Sequence, residues 1–553
     1  LINYTFAIII LNYIIFTNLY KLMSNRYISY RDTNYFNSLF CDYIEGSNDL
    51  RTFYNNKPNL ESFKSQILLK KENFNKSDRL TLKDVLVKQY SDINISDELK
   101  QSINSIADED TFTVTTGHQL CLFTGPLYFL YKIISTINLT EELKVKYPKF
   151  NFIPVYWMAT EDHDFEEIRS FKYNDENIRW ESDQNGEVGK FLTSNLKPTL
   201  DKFSQLLPNN INSNKLVKLF EESYIKSKDL SEATRKLVHE LFHDYKLLIL
   251  DSNQQELKKI FSPIIKNELI NNVIFDNSLK TIENLNKKNY KPQINPRKIN
   301  LFYLSKNSRN RIINHEDGFS TDDKKFTWTK DEIINEVNTC PENFSPNVLL
   351  RPLYQESILP NLCYIGGGSE ISYWLELKKC FDELDLCFPI LLNRNSVLLV
   401  KKKQFEKLSK VNTSINELFL NQNNLIASKA KSLASEKFDF DEQKLFLTKQ
   451  FNSLREVSKL TDISFLGAVN AQEKKQLKGL SNLEKRLLKA NKRKYHLDLS
   501  RVTSLQNELF PNNSLQERTV NFSEFYLEYG ENFIKILKEN ISPLNNKFTI
   551  IEL

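Results

Sequence analysis

Glycine is scarce in this chain, with 12 residues in 553, about 2% where soluble domains carry ~7%. Methionine falls to 2 and histidine to 6. The 6 cysteines, at 41, 121, 340, 363, 380 and 387, include no CxxC pair and cannot frame a chain of this length. Reduced thiols, and hence a cytoplasmic location, are the expectation. Net charge is almost absent, since 75 basic residues against 70 acidic ones leave +5. Without a basic face, that balance excludes an electrostatic argument for nucleic acid. Beyond residue 22 no apolar run approaches a membrane span. What remains is a chain 40% hydrophobic and 26% charged, typical of folded domains and long enough for three or four units at about 150 residues each.

Residues 1–22, LINYTFAIIILNYIIFTNLYKL, hold one charge, Lys21. They lack the basic start and small-residue end of a secretory signal. The preferred reading is a start assigned upstream of Met23; the other is a short anchor.

From 111 the chain reads as a strand (TFTVT), a loop (TGHQLCLFTG) and a helix (PLYFLYKIISTINLTEELKVK). Leu130, Ile133, Ile134 and Ile137 recur at helical spacing there, and Pro126 suits a first turn. A second strand, NFIPVYWMA, ends in TEDHDFEE, completing a β-α-β unit with parallel strands. LLILD (247–251) and LCFPILLN (386–393) fit the same sheet, and VLLRP near 348 is another candidate strand. The stretch 170–340 reads as insertions. From 396 to 505 the chain turns to Lys/Glu/Gln-rich helix formers. Phe405, Leu408, Val411, Ile415 and Leu418 step by three and four, as do Leu480, Leu483 and Leu487, with a shorter run at Phe451, Leu454 and Val457. An antiparallel coiled coil is expected, an ordinary helical bundle being the alternative, with its seam a homodimer surface. Residues 506–553 return to mixed character.

Ligands of open parallel sheets bind beyond the carboxyl ends of the strands. Two polar clusters should fall there: Thr116, Gly117, His118 and Gln119 after one strand, Glu161, Asp162, His163 and Asp164 after the next. Gly117 permits a tight turn, and Gly125 precedes a helix whose N–H groups suit an anion. His118 and His163 are expected to face one cleft with Asp162 and Asp164, a set able to move protons, orient an amine or hold a metal. EDHD reads equally as a helix cap for FEEI. A third cluster runs from Arg351 in RPLYQ to YIGGGSEISYW, containing Tyr364, Gly366, Gly367, Glu370 and Trp374. It matches neither a dinucleotide fingerprint nor a Walker loop, so it is either backbone approached by a ligand or a tight strand-to-helix turn. Arg351 suits a substrate carboxylate or a buried Glu. HELFH (239–243) matches the zinc-peptidase pattern. However, DYKLLILD ends its helix at once and no third ligand follows, so no metal is expected.

The blocks TTGHQLCLFTGPLYFLYKIIS, PVYWMATEDHDFEEI, PQINPRKINLFYL, SPNVLLRPLYQESILPNLCYIGGGSEISYWLELK and LFPNNSLQERTVNF are spread from about 115 to 522. Together they resemble the BshC family of bacillithiol-biosynthesis, cysteine-adding enzymes. His118 departs from the family's TGQQ, and the triple glycine from its GGPGE. The resemblance implies an α/β fold: a Rossmann-like parallel-sheet core over 23–395 with inserted connective segments, like class I synthetases and nucleotidyltransferases, then the coiled coil over 396–505 used for dimerisation. It implies joining the carboxyl of L-cysteine to the amino group of glucosaminyl-malate, with an ATP- or ADP-type site near the coiled coil, placed at Asn393, Arg394, Asn395, Ser396 and Asn521. On that basis Asp162, His163 or Asp164 orients and deprotonates the amine. Tyr364, Glu370 and Trp374 line a substrate pocket with Gly117, His118, Gln119, Gly366 and Gly367, and Arg297 or Arg351 holds the malate carboxylates. The competing expectation is a catalytically silent, nucleotide-binding dimeric assembly protein. HIGH- and KMSKS-type signatures are absent, TTGHQ and SRNRI (308–312) being poor stand-ins.

Overall fold

The computed structural model describes residues 26–91, 93–434, 440–460 and 463–553; the reading of residues 1–22 lies outside them. Its centre is a five-stranded, wholly parallel sheet: β1 (Thr111–His118), β2 (Asn151–Met158), β3 (Leu248–Asp251), β4 (Asn361–Gly366) and β5 (Ile390–Asn393). In space they run β5-β4-β1-β2-β3. The chain builds outward from β1 on one side and then reverses to the other, the doubly wound order whose switch point lies between β1 and β4. Helix α1 (Tyr128–Lys146) makes the first crossover and is buried along most of its length.

Both sheet faces are covered, and the pleat shows how. Along β2, Ile153, Val155 and Trp157 enter one core while Tyr156 and Met158 enter the other. A strand buried on both faces needs apolar residues at every buried position, which IPVYWM (153–158) supplies. LCFPILLN pairs only from Ile390 onward, since Pro389 has no N–H for the ladder.

VLLRP is not a strand. Arg351 opens α2 (Arg351–Ile358), with Pro352 in its first turn, where the missing N–H costs nothing. The helix after β4, α3 (Gly368–Glu376), starts two residues before Glu370. The inserted region contributes β3, several helices and a separate antiparallel sheet, whose strands include Leu301–Ser305, Ser308–His315 and Phe344–Pro346.

The helical character expected from 396 begins later. Val397–Val400 is a strand, parallel to Phe548–Glu552, which also pairs with Tyr27–Ile28. The run from Phe405 to Leu418 is split between two short helices. The long helices are α4 (Asp441–Ser458) and α5 (Ile463–Lys494). Lys444 pairs with Glu484 at 2.8 Å and Arg455 with Glu473. One index rises as the other falls, so the two helices run antiparallel.

Candidate active site

At the switch point the carboxyl ends of β1, β2 and β4 open into a cleft of about 860 Å3. Of the residues singled out from sequence, Gly117, His118, Gln119, Asp162, Arg297, Arg351, Tyr364, Gly367, Glu370 and Arg394 line it. Gly117 does not turn the chain: it continues β1, opposite Trp157. A Cβ there would lie 3.5 Å from both the Arg351 Nη1 and the Tyr364 hydroxyl. Gly366 is the position that needs glycine for space, since a Cβ would meet the Tyr364 ring at 2.9 Å and Glu370 at 3.0 Å. Gly125 adopts φ +62°, but the start of α1 is no open anion site, because the Leu127 N–H donates to the Val520 carbonyl.

One wall is an ion-paired unit. Lys132, on α1 and nearly inaccessible, donates to the Gly117 carbonyl and reaches Glu370, both at 2.7 Å. Glu370 caps α3 by accepting the Gly367 N–H at 2.8 Å and takes the Tyr364 hydroxyl at 2.6 Å. Burial works against its charge, yet Lys132 and these donors hold its carboxyl down to about 2. Burial lowers Lys132, with Glu370 opposing. Lys132 is buried while Glu370 keeps about a quarter of its side chain exposed to the cleft, so water screens the outer side of the pair. Sequence reading passed over Lys132; its one signal is a lone charge inside the apolar run YFLYKII.

His118 is buried against Tyr128 and Phe129. Burial and the nearby Lys132 lower its pKa to about 3, so the ring is neutral. Its Nδ1 lies 2.8 Å from the Gln119 carbonyl; a carbonyl only accepts, so Nδ1 carries the proton and Nε2 does not. Cys121 sits 3.9 Å from that Nδ1, but burial pushes its thiol up to about 12. A thiolate nucleophile is therefore unavailable at neutral pH.

Beyond β2, Asp162 accepts the His163 backbone N–H at 2.7 Å and Gln119 Nε2 at 2.8 Å, with Arg309 3.6 Å away. Burial opposes its charge, but these partners hold its carboxyl well below the usual range. Asp164 takes the capping role, accepting the Glu167 N–H at 3.3 Å. His163 and Asp164 border an adjoining depression rather than the cleft itself, so the two histidines do not share one cavity. Arg309 borders both spaces. Glu161 is bound instead to buried Lys258.

The residues expected at a nucleotide site divide differently. Arg394 reaches the cleft but is paired with buried Glu517 at 2.8 Å. Asn393 donates to the Tyr30 hydroxyl, Asn395 to the Ser542 carbonyl, and Asn521 to the carbonyls of Phe123 and Gly125. With Ser396, these are buried in the joint between sheet and C-terminal segment. Trp374 lies fully buried behind Tyr364, ring centroids 4.5 Å apart. In HELFH the α-helix ends at Phe242, and His243 begins a short turn. No group of three or more potential metal ligands occurs among the described residues.

Six cations line the cleft: Lys132, Arg297, Arg309, Arg351, Arg394 and Arg518. Lys132, Arg309 and Arg394 have carboxylate partners. Among the described residues Arg297, Arg351 and Arg518 have none within ion-pair distance. Arg351 is bonded to neutral groups, Gln355 at 3.0 Å and the Tyr373 hydroxyl at 3.3 Å, beside the faces of Tyr364 and Trp374. Guanidinium groups without a carboxylate at ion-pair distance can take up anions by charge-assisted hydrogen bonds, carboxylates above all.

A Rossmann-like domain with an arginine-lined cleft at its switch point is thus the class this fold and site define. Residues 23–395 match the family described as "Bacillithiol biosynthesis BshC, N-terminal Rossmann-like domain", and 397–553 match its "C-terminal coiled-coil domain". The chain belongs to the BshC family. A protein of Flavobacterium johnsoniae named "Putative cysteine ligase BshC" is 52% identical over 95% of this chain and 99% of its own length. Same-named proteins of Christiangramia forsetii and Cytophaga hutchinsonii are 48% and 33% identical, over 96% and 93% of this chain and 99% and 96% of theirs. A solved structure titled "putative arginyl t-RNA synthetase" of Campylobacter jejuni aligns over 74% of this chain and 94% of that one, at 11% identity and a TM-score of 0.20. No helix among the described residues is long and apolar enough to cross a membrane.

Proposed function

We propose that this chain is a carbon–nitrogen bond-forming ligase that joins the carboxyl of L-cysteine to the amino group of glucosaminyl-malate, the last step of bacillithiol synthesis. The observation that carries this reading is the set of guanidinium groups without carboxylate partners, Arg297, Arg351 and Arg518. A malate moiety brings two carboxylates and cysteine one, and such groups meet arginine through charge-assisted hydrogen bonds. The family's name for its members points the same way.

The amine is received at the end of β2, where the ionised Asp162 accepts an N–H and the run Asp162, His163, Asp164 supplies the proton acceptor. Tyr364, Glu370 and Lys132 form the opposite wall and hold Gly117 in place. An amide does not form spontaneously from a free carboxylate in water, so the cysteine carboxyl requires activation. ATP is the proposed source, leaving AMP after an adenylate or ADP after an acyl phosphate. A homodimer through the paired helices α4 and α5 and a cytoplasmic location complete the reading.

The test incubates the purified protein with glucosaminyl-malate, cysteine and ATP and follows bacillithiol and nucleotides by mass spectrometry. Bacillithiol with stoichiometric AMP or ADP supports the reading. A folded protein that binds nucleotide, forms no product and leaves ATP intact overturns it in favour of the assembly protein.

A further inference from the structure

Arg309 belongs to the inserted antiparallel sheet, yet its side chain ends at the carboxyl end of β2. Its guanidinium lies over the Phe302 ring at 4.1 Å. Nε donates to Ser345 Oγ and Nη2 to the Pro346 carbonyl, each at 3.1 Å. Nη1 lies 2.9 Å from His163 Nδ1 and 3.6 Å from Asp162 Oδ1. The side chain is only 9% exposed. All its nitrogens are engaged, so its position is fixed by the insertion rather than by its own flexible stem.

A guanidinium has no acceptor. The short contact to His163 therefore requires Nδ1 to be the acceptor, which places the neutral ring's proton on Nε2. Asp162 offers the opposite arrangement: its Oδ1 lies 3.5 Å from the same Nδ1 and would draw the proton there if Arg309 were absent. We propose that Arg309 is a positioning residue that locks His163 in its Nε2–H tautomer, so that His163, at the border of the adjoining depression, has only a donor to offer and Asp162, which lines the cleft, is left as the acceptor for the amine. The inserted sheet thereby sets the protonation pattern of the site. The tautomer stands on geometry alone; only its consequence for turnover rests on the amide-forming reading.

The experiment uses the full chain labelled with 15N-histidine at mildly alkaline pH. His163→Gln identifies the His163 signals among the six histidines. The expected wild-type pattern is a protonated Nε2 and an unprotonated Nδ1. A proton on Nδ1 overturns the proposal. Arg309→Met, which keeps a stem over Phe302 but removes every donor, should shift the proton toward Nδ1; an unchanged pattern in the folded variant also overturns it. In turnover, Arg309→Met should lower kcat about tenfold but reduce it less than about twofold further in the His163→Gln background, the non-additivity of residues acting through one another. Full additivity would make Arg309 independent of His163. If Arg309→Met fails to fold, the wild-type spectrum alone decides. An Nε2–H spectrum without bacillithiol formation would sustain the tautomer and remove the proposed reaction instead.

Discussion

The cleft and the paired helices α4 and α5 invert each other's surface chemistry. Around the cleft, charge is buried: Lys132, Arg394 and Lys258 are nearly inaccessible, and Glu517 is wholly so. Along the helices, carbon is exposed: Phe446 is 65% accessible, Val457 51% and Leu483 53%. Phe446, Leu480 and Leu483 line an open groove between α4 and α5. Each region departs from ordinary burial in a direction that names what would complete it. Partnerless guanidinium groups call for anions, and a contiguous apolar surface calls for another apolar surface. Exposed apolar residues can be diluted away one at a time, whereas a buried charge fails as soon as its partner goes.

The largest expected effect lies in the cleft. Arg351→Ala should lower kcat/KM for glucosaminyl-malate about 100-fold, the scale of a charge-assisted hydrogen bond lost from an anion, while thermal melting stays close to wild type. A loss confined to kcat would instead place Arg351 away from ground-state recognition.

Next comes Lys132→Met, which strands Glu370. Denaturant unfolding should show a loss of about 1.5–3 kcal/mol, the scale of a hydrogen bond to a charged group, since Glu370 is partly exposed and keeps the Tyr364 and Gly367 donors. The Glu370 carboxyl is held at about 2 against an ordinary 4.5. Its folded value is the lower, so its stabilisation is complete above pH 4.5 and is lost as pH falls through 2. The variant should therefore lose much of the wild type's acid sensitivity in that window.

Glu376, at the far end of α3, shows the opposite sign. It accepts the Gln293 N–H at 2.7 Å, but its Oε2 has no hydrogen-bond partner, and burial pushes its carboxyl up to about 7. A raised folded value means stability present below pH 4.5 and lost as pH rises through 7. Glu376→Gln should flatten that decline, with a gain at pH 8 of up to about 3 kcal/mol. Unfolding midpoints measured across that range would decide it.

The smallest effect on the fold is expected in the helices. A Phe446→Asp, Leu483→Asp double variant should sediment as a monomer and leave the main melting transition within a few degrees of wild type, since surface substitutions usually cost under about 0.5 kcal/mol each. A chain that remains dimeric would locate the interface elsewhere.

Much of the core was legible along the chain. The apolar run NFIPVYWM, the helical period of α1 and the rarity of glycine led to the ends of β1, β2 and β4. VLLRP misled because apolar content alone does not separate a strand from a helical turn; Pro352 was the better signal. Asn393, Asn395 and Asn521, placed at a nucleotide site by the family resemblance, are spent on the Tyr30 hydroxyl and on backbone carbonyls; an amide that satisfies buried groups reads in sequence like one that awaits a ligand. Lys132 hid inside an apolar helix. Arg309 lay inside SRNRI, read only as a poor stand-in for a synthetase signature, and nothing in the sequence tied it to His163 and Asp162 nearly 150 residues earlier.

By itself the sequence determined what local chemistry can enforce: strand and helix periods, the glycine required beside Tyr364, the capping Asp164 and Glu370, and membership of the family through its long blocks. The tertiary structure decided which charges meet. Whether an arginine is spent on a carboxylate, as Arg394 is, or left open toward a cleft, as Arg351 is, depends on distances between segments far apart in the chain. Ion pairing falls off within a few ångströms, and those ångströms are set by how the insertion and the C-terminal segment pack onto the sheet.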